Sequence, residues 1–130
     1  MKSAKIFLGL TGLIFAVYGV YLIINPQFLI EIANFSISEN TALTELRAMY
    51  GGLQLALGLF MLISCSRESL ITPCLLLMVL SFLCLSGTRA LGLVIDPADN
   101  GYNVSAMLYE SFTALIAVIL YFKLARATNS

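Results

Sequence analysis

The chain has 130 residues, 60% of them hydrophobic and only 11% charged, and its mean hydropathy is +0.96. A soluble domain averages roughly 25% charged residues, and a globule this small has too little interior to hide so much apolar surface. Seven basic and seven acidic residues cancel, so nucleic acid is not an expected partner. The lack of histidine removes imidazole bases, His-ligated haem and most zinc and copper sites. Neither a metal nor an organic cofactor is expected.

A bilayer core about 30 Å thick takes roughly 20 apolar residues per helix, and four stretches qualify. The first, residues 6–24, carries no charge and stops at Asn25-Pro26. It is longer than a signal-peptide core, and Leu22-Ile23-Ile24-Asn25-Pro26 offers no small-x-small cleavage pattern, so a retained helix is expected. In the 25–42 connection Phe28, Leu29, Ile32 and Phe35 recur at helical spacing, which fits a short helix lying at the membrane surface; an irregular loop with apolar anchors is the alternative.

The second stretch, residues 43–63, holds Glu45, Arg47 and Gln54. A tight turn at Ser64–Ser69 leads to the third, residues 70–95, with Pro73 in its expected first turn and Arg89 late. At 1.5 Å per residue it would reach about 39 Å, so it must tilt or begin among headgroups. A second turn, Asp96–Asn103, leads to residues 104–124, which contain Glu110. Short connections favour antiparallel neighbours, so the expected fold is all-α: one membrane domain over residues 1–130, built as an up-down four-helix bundle.

Charge sets the expected orientation. Lys2, Lys5, Arg67, Lys123 and Arg126, against a single Glu68, fall at one set of helix ends, whereas Glu31, Glu39, Asp96 and Asp99 fall at the other, which has no Lys or Arg. The positive-inside rule then puts both termini and the 64–69 turn in the cytoplasm. The three cysteines form no Cys-x-x-Cys pair and read as small apolar packing residues. Gly9, Gly12, Ala16 and Gly19 form one small-residue stripe, and Gly51, Gly52, Ala56 and Gly58 a second. In lipid such stripes let backbones approach closely.

Four charges remain inside the stretches: Glu45, Arg47, Arg89 and Glu110. A charge in hydrocarbon costs a few kcal/mol, so such residues face inward and find partners. From helix rise, Arg47 lies about 6 Å inside its outer helix end, and Arg89 and Glu110 about 9 Å inside theirs. Regular helical phase puts Arg47, Gly51, Gln54 and Gly58 on one face with Tyr50 at its edge. Asn103, Ala106, Glu110, Thr113, Ala117 and Tyr121 share a face of the last helix, and Ser86, Arg89 and Gly92 one of the third. Glu45 sits about 200° from Arg47, too far round to share its face. Two readings follow. Glu110 neutralises one arginine and Glu45 or a carbonyl satisfies the other, fixing register; or two arginines around one glutamate leave a positive site for an anionic head group, carboxylate or quinone oxygen.

The segments Arg47-Ala48-Met49-Tyr50-Gly51-Gly52-Leu53 and Gly87-Thr88-Arg89-Ala90-Leu91-Gly92-Leu93, with Glu110 in the last helix, resemble a family of small four-helix membrane proteins, the domain of unknown function 4345 type, found largely in bacteria. The resemblance spans nearly the whole chain. It implies the four-helix fold, a bacterial inner-membrane location, and Arg47, Arg89 and Glu110 as the polar signature. It brings no activity or substrate.

The leading functional expectation is a binding or accessory protein with an outer-leaflet polar pocket formed by Arg47, Arg89, Glu110, Tyr50 and Gln54. Its partners would be the bilayer, a lipid or quinone-like ligand, and a second copy or another membrane protein. A small oligomeric transporter using the Glu/Arg cluster is the alternative, although the first helix lacks the acid on which small multidrug exporters rely, and the chain has no Trp for their aromatic cage. Catalysis ranks third: its base would have to be Glu110 or Tyr50, and no nucleophile–base pair is evident. The orientation has a direct test. In intact cells, Glu39→Cys and Asn100→Cys should react with an impermeant thiol reagent, while Ser66→Cys and Asn129→Cys stay silent until the membrane is opened.

Overall fold

The computed structural model describes residues 1–34, 36, 40–95 and 101–128, and among them there is no strand. Four helical stretches are long and apolar enough to cross a membrane: Lys2–Ile24, Thr41–Ser66, Glu68–Ile95 and Gly101–Arg126. Phe35 and Glu39 of the first expected connection, residues 96–100 of the second, and Asn129 lie outside the described residues. The chain forms two compact units, residues 2–68 and the residues from Ser69 onward.

In the first unit α1 (Lys2–Ile24) ends where Pro26 withdraws a backbone donor. The short α2 (Gln27–Ala33) follows, closed by Asn34 in the left-handed region at φ 56°, a conformation Asn tolerates at helix ends. Leu29 and Ala33 of α2 are buried and Glu31 is exposed. Phe28 meets Tyr18 and Tyr21 of α1 edge-on, at centroid distances of 6.5 and 5.2 Å. Next come α3 (Asn40–Leu46), a π-helical turn (Arg47–Gly52) and α4 (Leu53–Ser66) in unbroken succession.

Helices α1 and α4 pack antiparallel with their backbones in contact. A Cβ placed on Gly19 would come 2.5 Å from the Leu55 nitrogen, and one on Gly58 2.5 Å from the Ala16 nitrogen. At Gly12 it would meet Met61 Cβ at 2.8 Å, and at Gly51 Ile23 Cγ1 at 2.7 Å. Gly12 and Gly19 are seven residues apart, as are Gly51 and Gly58, so each pair lies on one helical face. The second stripe expected from sequence needs correction: a Cβ on Gly52 would find only the Arg47 carbonyl, at 3.8 Å, and Ala56 is exposed. Leu55, not Ala56, lies against α1.

The π turn is the physical reason for a second correction. Its hydrogen bonds skip one residue more than α-helical ones, as in Leu53 N–H to Ala48 carbonyl, so the chain rotates less per residue. A regular α-helix would carry Arg47, four residues before Gly51, onto the crowded α1 contact. With the extra residue wound in, Gly51 and Gly58 are buried, Gln54 is half-buried, and Arg47 is exposed at the rim. From there its Nη1 still reaches the Ile23 carbonyl, the α1 residue against which Gly51 packs.

In the second unit α5 (Glu68–Ile95) begins one residue after the extended Arg67. Pro73 therefore stands inside the helix rather than in its first turn. Ile71, Cys74, Leu75, Met78 and Phe82 form its buried stripe, which runs on through half-buried Ser86 and Arg89. α6 (Gly101–Thr128) lies antiparallel to it, with Phe82 edge-on to Tyr109 at 6.3 Å and Ser86 Oγ 2.6 Å from Ser111 Oγ.

Thermal unfolding in detergent should separate the glycines. Gly19→Ala and Gly58→Ala are expected to lose about 1–3 kcal/mol through overpacking against backbone. Gly52→Ala and Gly87→Ala, where a Cβ has room, should be neutral or gain up to about 1 kcal/mol from helix propensity.

Candidate functional site

The buried face of α6 consists of Glu110, Thr113, Ala114 and Ala117. Small side chains there let a neighbour approach, and the carboxylate enters among them. Glu110 is nine residues into α6, about 14 Å along its axis, and Arg89 is six residues from the end of α5, about 9 Å. Both charges thus lie well within membrane-length helices, where an unpaired ion is costly.

The two side chains meet. Arg89 Nε donates to both carboxylate oxygens of Glu110, at 2.9 Å and 3.0 Å, and Nη1 donates to Asn103 Oδ1 at 2.9 Å. The Tyr102 ring faces the guanidinium, 5.6 Å from its Cζ, within cation–π range. The Glu110 side chain is 8% exposed and that of Arg89 is 23% exposed. The carboxylate is sealed, while part of the guanidinium remains accessible. Nearby hydroxyls satisfy themselves within their helices: Thr113 Oγ1 donates to the Tyr109 carbonyl, and Thr88 Oγ1 to those of Cys84 and Leu85. Among the described residues no buried side-chain nitrogen or oxygen lacks a partner.

Arg47 belongs to the other unit and is satisfied differently. Its Nη1 donates to the Ile23 carbonyl at 2.6 Å. That carbonyl is in the last turn of α1, where intrahelical donors run out and the helix dipole is negative. Tyr50 is exposed on the next turn and Gln54 is half-buried one turn further. Glu45 is exposed, and among the described residues it forms no ion pair with Arg47. At the opposite end of the same unit Lys5 Nζ reaches Glu68 Oε1 at 3.0 Å, and Cys65 Sγ donates to the Lys5 carbonyl.

The structure thus brings together Arg89 and Glu110 of the five residues singled out from sequence, and leaves Arg47 with a backbone carbonyl. It adds Asn103, Tyr102 and the Ser86–Ser111 bond. Asn103 was legible, being seven residues before Glu110 on the same face; Tyr102 adjoins it. Ser111 lies a quarter-turn from Glu110 and carried no signal. Among the described residues, no group of three or more His, Cys, Asp or Glu side chains is placed to hold a metal ion.

Helices of this length and apolarity, with an ion pair inside one hairpin, define a small all-α protein of membrane type. A family model described as Domain of unknown function (DUF4345) matches residues 3–121, and the chain belongs to that family. No curated protein and no solved structure matches it.

The pair has a thermodynamic signature. Glu110→Ala alone should cost up to about 3 kcal/mol, because it leaves a half-buried guanidinium without its counter-charge. The double variant Arg89→Ala/Glu110→Ala should unfold at a higher temperature than Glu110→Ala, giving a coupling energy that a double-mutant cycle measures directly.

Proposed function

We propose that the protein is a binding or accessory membrane protein, without catalysis of its own, that holds a lipid, a quinone-like molecule, another anionic or polar small molecule, or a partner helix. The observation that carries this reading is the asymmetry of the Arg89–Glu110 pair: the acid is enclosed and the guanidinium is partly open. Glu110 and Asn103 fix the orientation of Arg89 before any ligand arrives, so less ordering entropy is lost when an acceptor binds. A guanidinium also matches carboxylate, phosphate and carbonyl oxygens geometrically. Arg47, with Tyr50 and Gln54 on the following turns, supplies a second cationic position in residues 2–68.

The proposed setting is a bacterial inner membrane with both termini in the cytoplasm, supported by the basic residues Lys2, Lys5, Arg67, Lys123 and Arg126 at one set of helix ends. Both arginines and Glu110 then lie toward the outer leaflet. Mass spectrometry of gently solubilised protein should find a stoichiometric lipid or quinone-like molecule. The double variant Arg89→Gln/Glu110→Gln, which strands no charge, should fold and lose it. Proton-coupled flux in liposomes that Glu110→Gln abolishes, with nothing co-purifying, would instead make the protein a small transporter.

A further inference from the structure

The end of the 2–68 unit where α1 stops gathers features that the Arg89–Glu110 reading leaves unused. Arg47, in the π turn, stands at the rim of the α1 contact, and its Nη1 is fixed on the Ile23 carbonyl at 2.6 Å. The anchored guanidinium is exposed, and among the described residues no carboxylate pairs with it: Glu31 and Glu45 are exposed and form no ion pair. A carbonyl supplies a lone pair but no compensating charge, so the full positive charge persists.

Its level in the helix matters. Ile23 is the penultimate residue of α1, so Arg47 sits where a membrane-length helix leaves hydrocarbon. The same end carries Tyr18 and Tyr21 packed edge-on against Phe28, with Asn25 Nδ2 donating to the Tyr21 hydroxyl at 3.3 Å. Amphipathic rings with a bonded polar tip are characteristic of the bilayer interface. Leu53, six residues further along the helix from Arg47 and so deeper, exposes a large apolar side chain. A cation at headgroup depth, interfacial rings and an apolar side chain below together match a molecule with an anionic head and hydrocarbon tails.

We propose that this end of the 2–68 unit is a binding site for an anionic phospholipid, with Arg47 on the headgroup phosphate, Tyr21 and Tyr50 at headgroup level, and Leu53 against an acyl chain. The Ile23 carbonyl orients the guanidinium through Nη1, and its remaining N–H groups can contact phosphate oxygens. An unpaired charge at the rim is then neutralised by lipid rather than by protein. The assignment uses residues of the 2–68 unit alone.

The test uses the full chain in mild detergent, titrated by native mass spectrometry with phosphatidylglycerol and with phosphatidylcholine of identical acyl chains. Wild-type protein should bind one phosphatidylglycerol in preference to phosphatidylcholine. Arg47→Gln should weaken that binding about fivefold, and Arg47→Lys should restore part of it. Equal binding of the two lipids by wild type, or an unchanged affinity in Arg47→Gln, overturns the assignment. Displacement of the lipid by excess inorganic phosphate would show a site for free phosphate and overturn it equally. Because Arg47→Gln also removes the cap on α1, a second measurement needs no variant: phosphatidylglycerol with a photoreactive headgroup, in vesicles, should label residues 21–28 and 47–54. Labelling confined to other segments rejects the site.

Discussion

Hydrocarbon offers a polar group no water, so each donor, acceptor and charge must be paired within the protein or carry a heavy penalty. The polar chemistry of this chain follows from that constraint. Glu110 is enclosed because Arg89 reaches it, and Arg89 is tolerated so deep because Glu110 and Asn103 take two of its nitrogens. Thr88 and Thr113 turn back to their own carbonyls, and Ser86 meets Ser111. Arg47 meets the same demand by capping α1. The ion pair and the cap are two answers to one problem, and only the first cancels charge.

Packing in the 2–68 unit depends on a different economy of atoms. Between helices in lipid there is little hydrophobic gain, so contact must come from close van der Waals approach. Gly12 and Gly19 on α1, Gly51 in the π turn and Gly58 on α4 provide it by removing the atoms that would hold the backbones apart. The Arg47–Ile23 bond and the Lys5–Glu68 pair close the two ends of this contact. In the second unit, hydrogen bonds and the ion pair link α5 to α6.

Most of the fold was legible from hydropathy alone: the four long helices and the short α2 appear where apolar runs and helical spacing place them. Helix ends were less so, because a polar residue such as Glu68 continues a helix as readily as it flanks one, which moved Pro73 inside α5. The Arg89–Glu110 contact was accessible from depth and phase, since both helices are regular from the hairpin to the charge. Arg47 was not. Phase counting assumes 3.6 residues per turn, and nothing in Arg47-Ala48-Met49-Tyr50-Gly51-Gly52 announces a wider one. The choice of Gly51 over Gly52, and Leu55 over Ala56, as contact residues depends on that same rotation.

The π turn can be regarded as a dislocation in an otherwise regular lattice of hydrogen bonds. A surplus residue of this kind is passed along a helix by exchanging one acceptor for its neighbour, without unwinding it, and every residue it passes swings by about 100°. On the α4 side it is stopped, because rotating Gly51 or Gly58 away would turn a side chain into the backbone of α1. On the α3 side no glycine stands in the way, and moving it there would change the angle at which Arg47 meets the Ile23 carbonyl. The position of the dislocation and the direction of Arg47 are therefore a single mechanical coordinate, pinned at one end by two missing methyl groups.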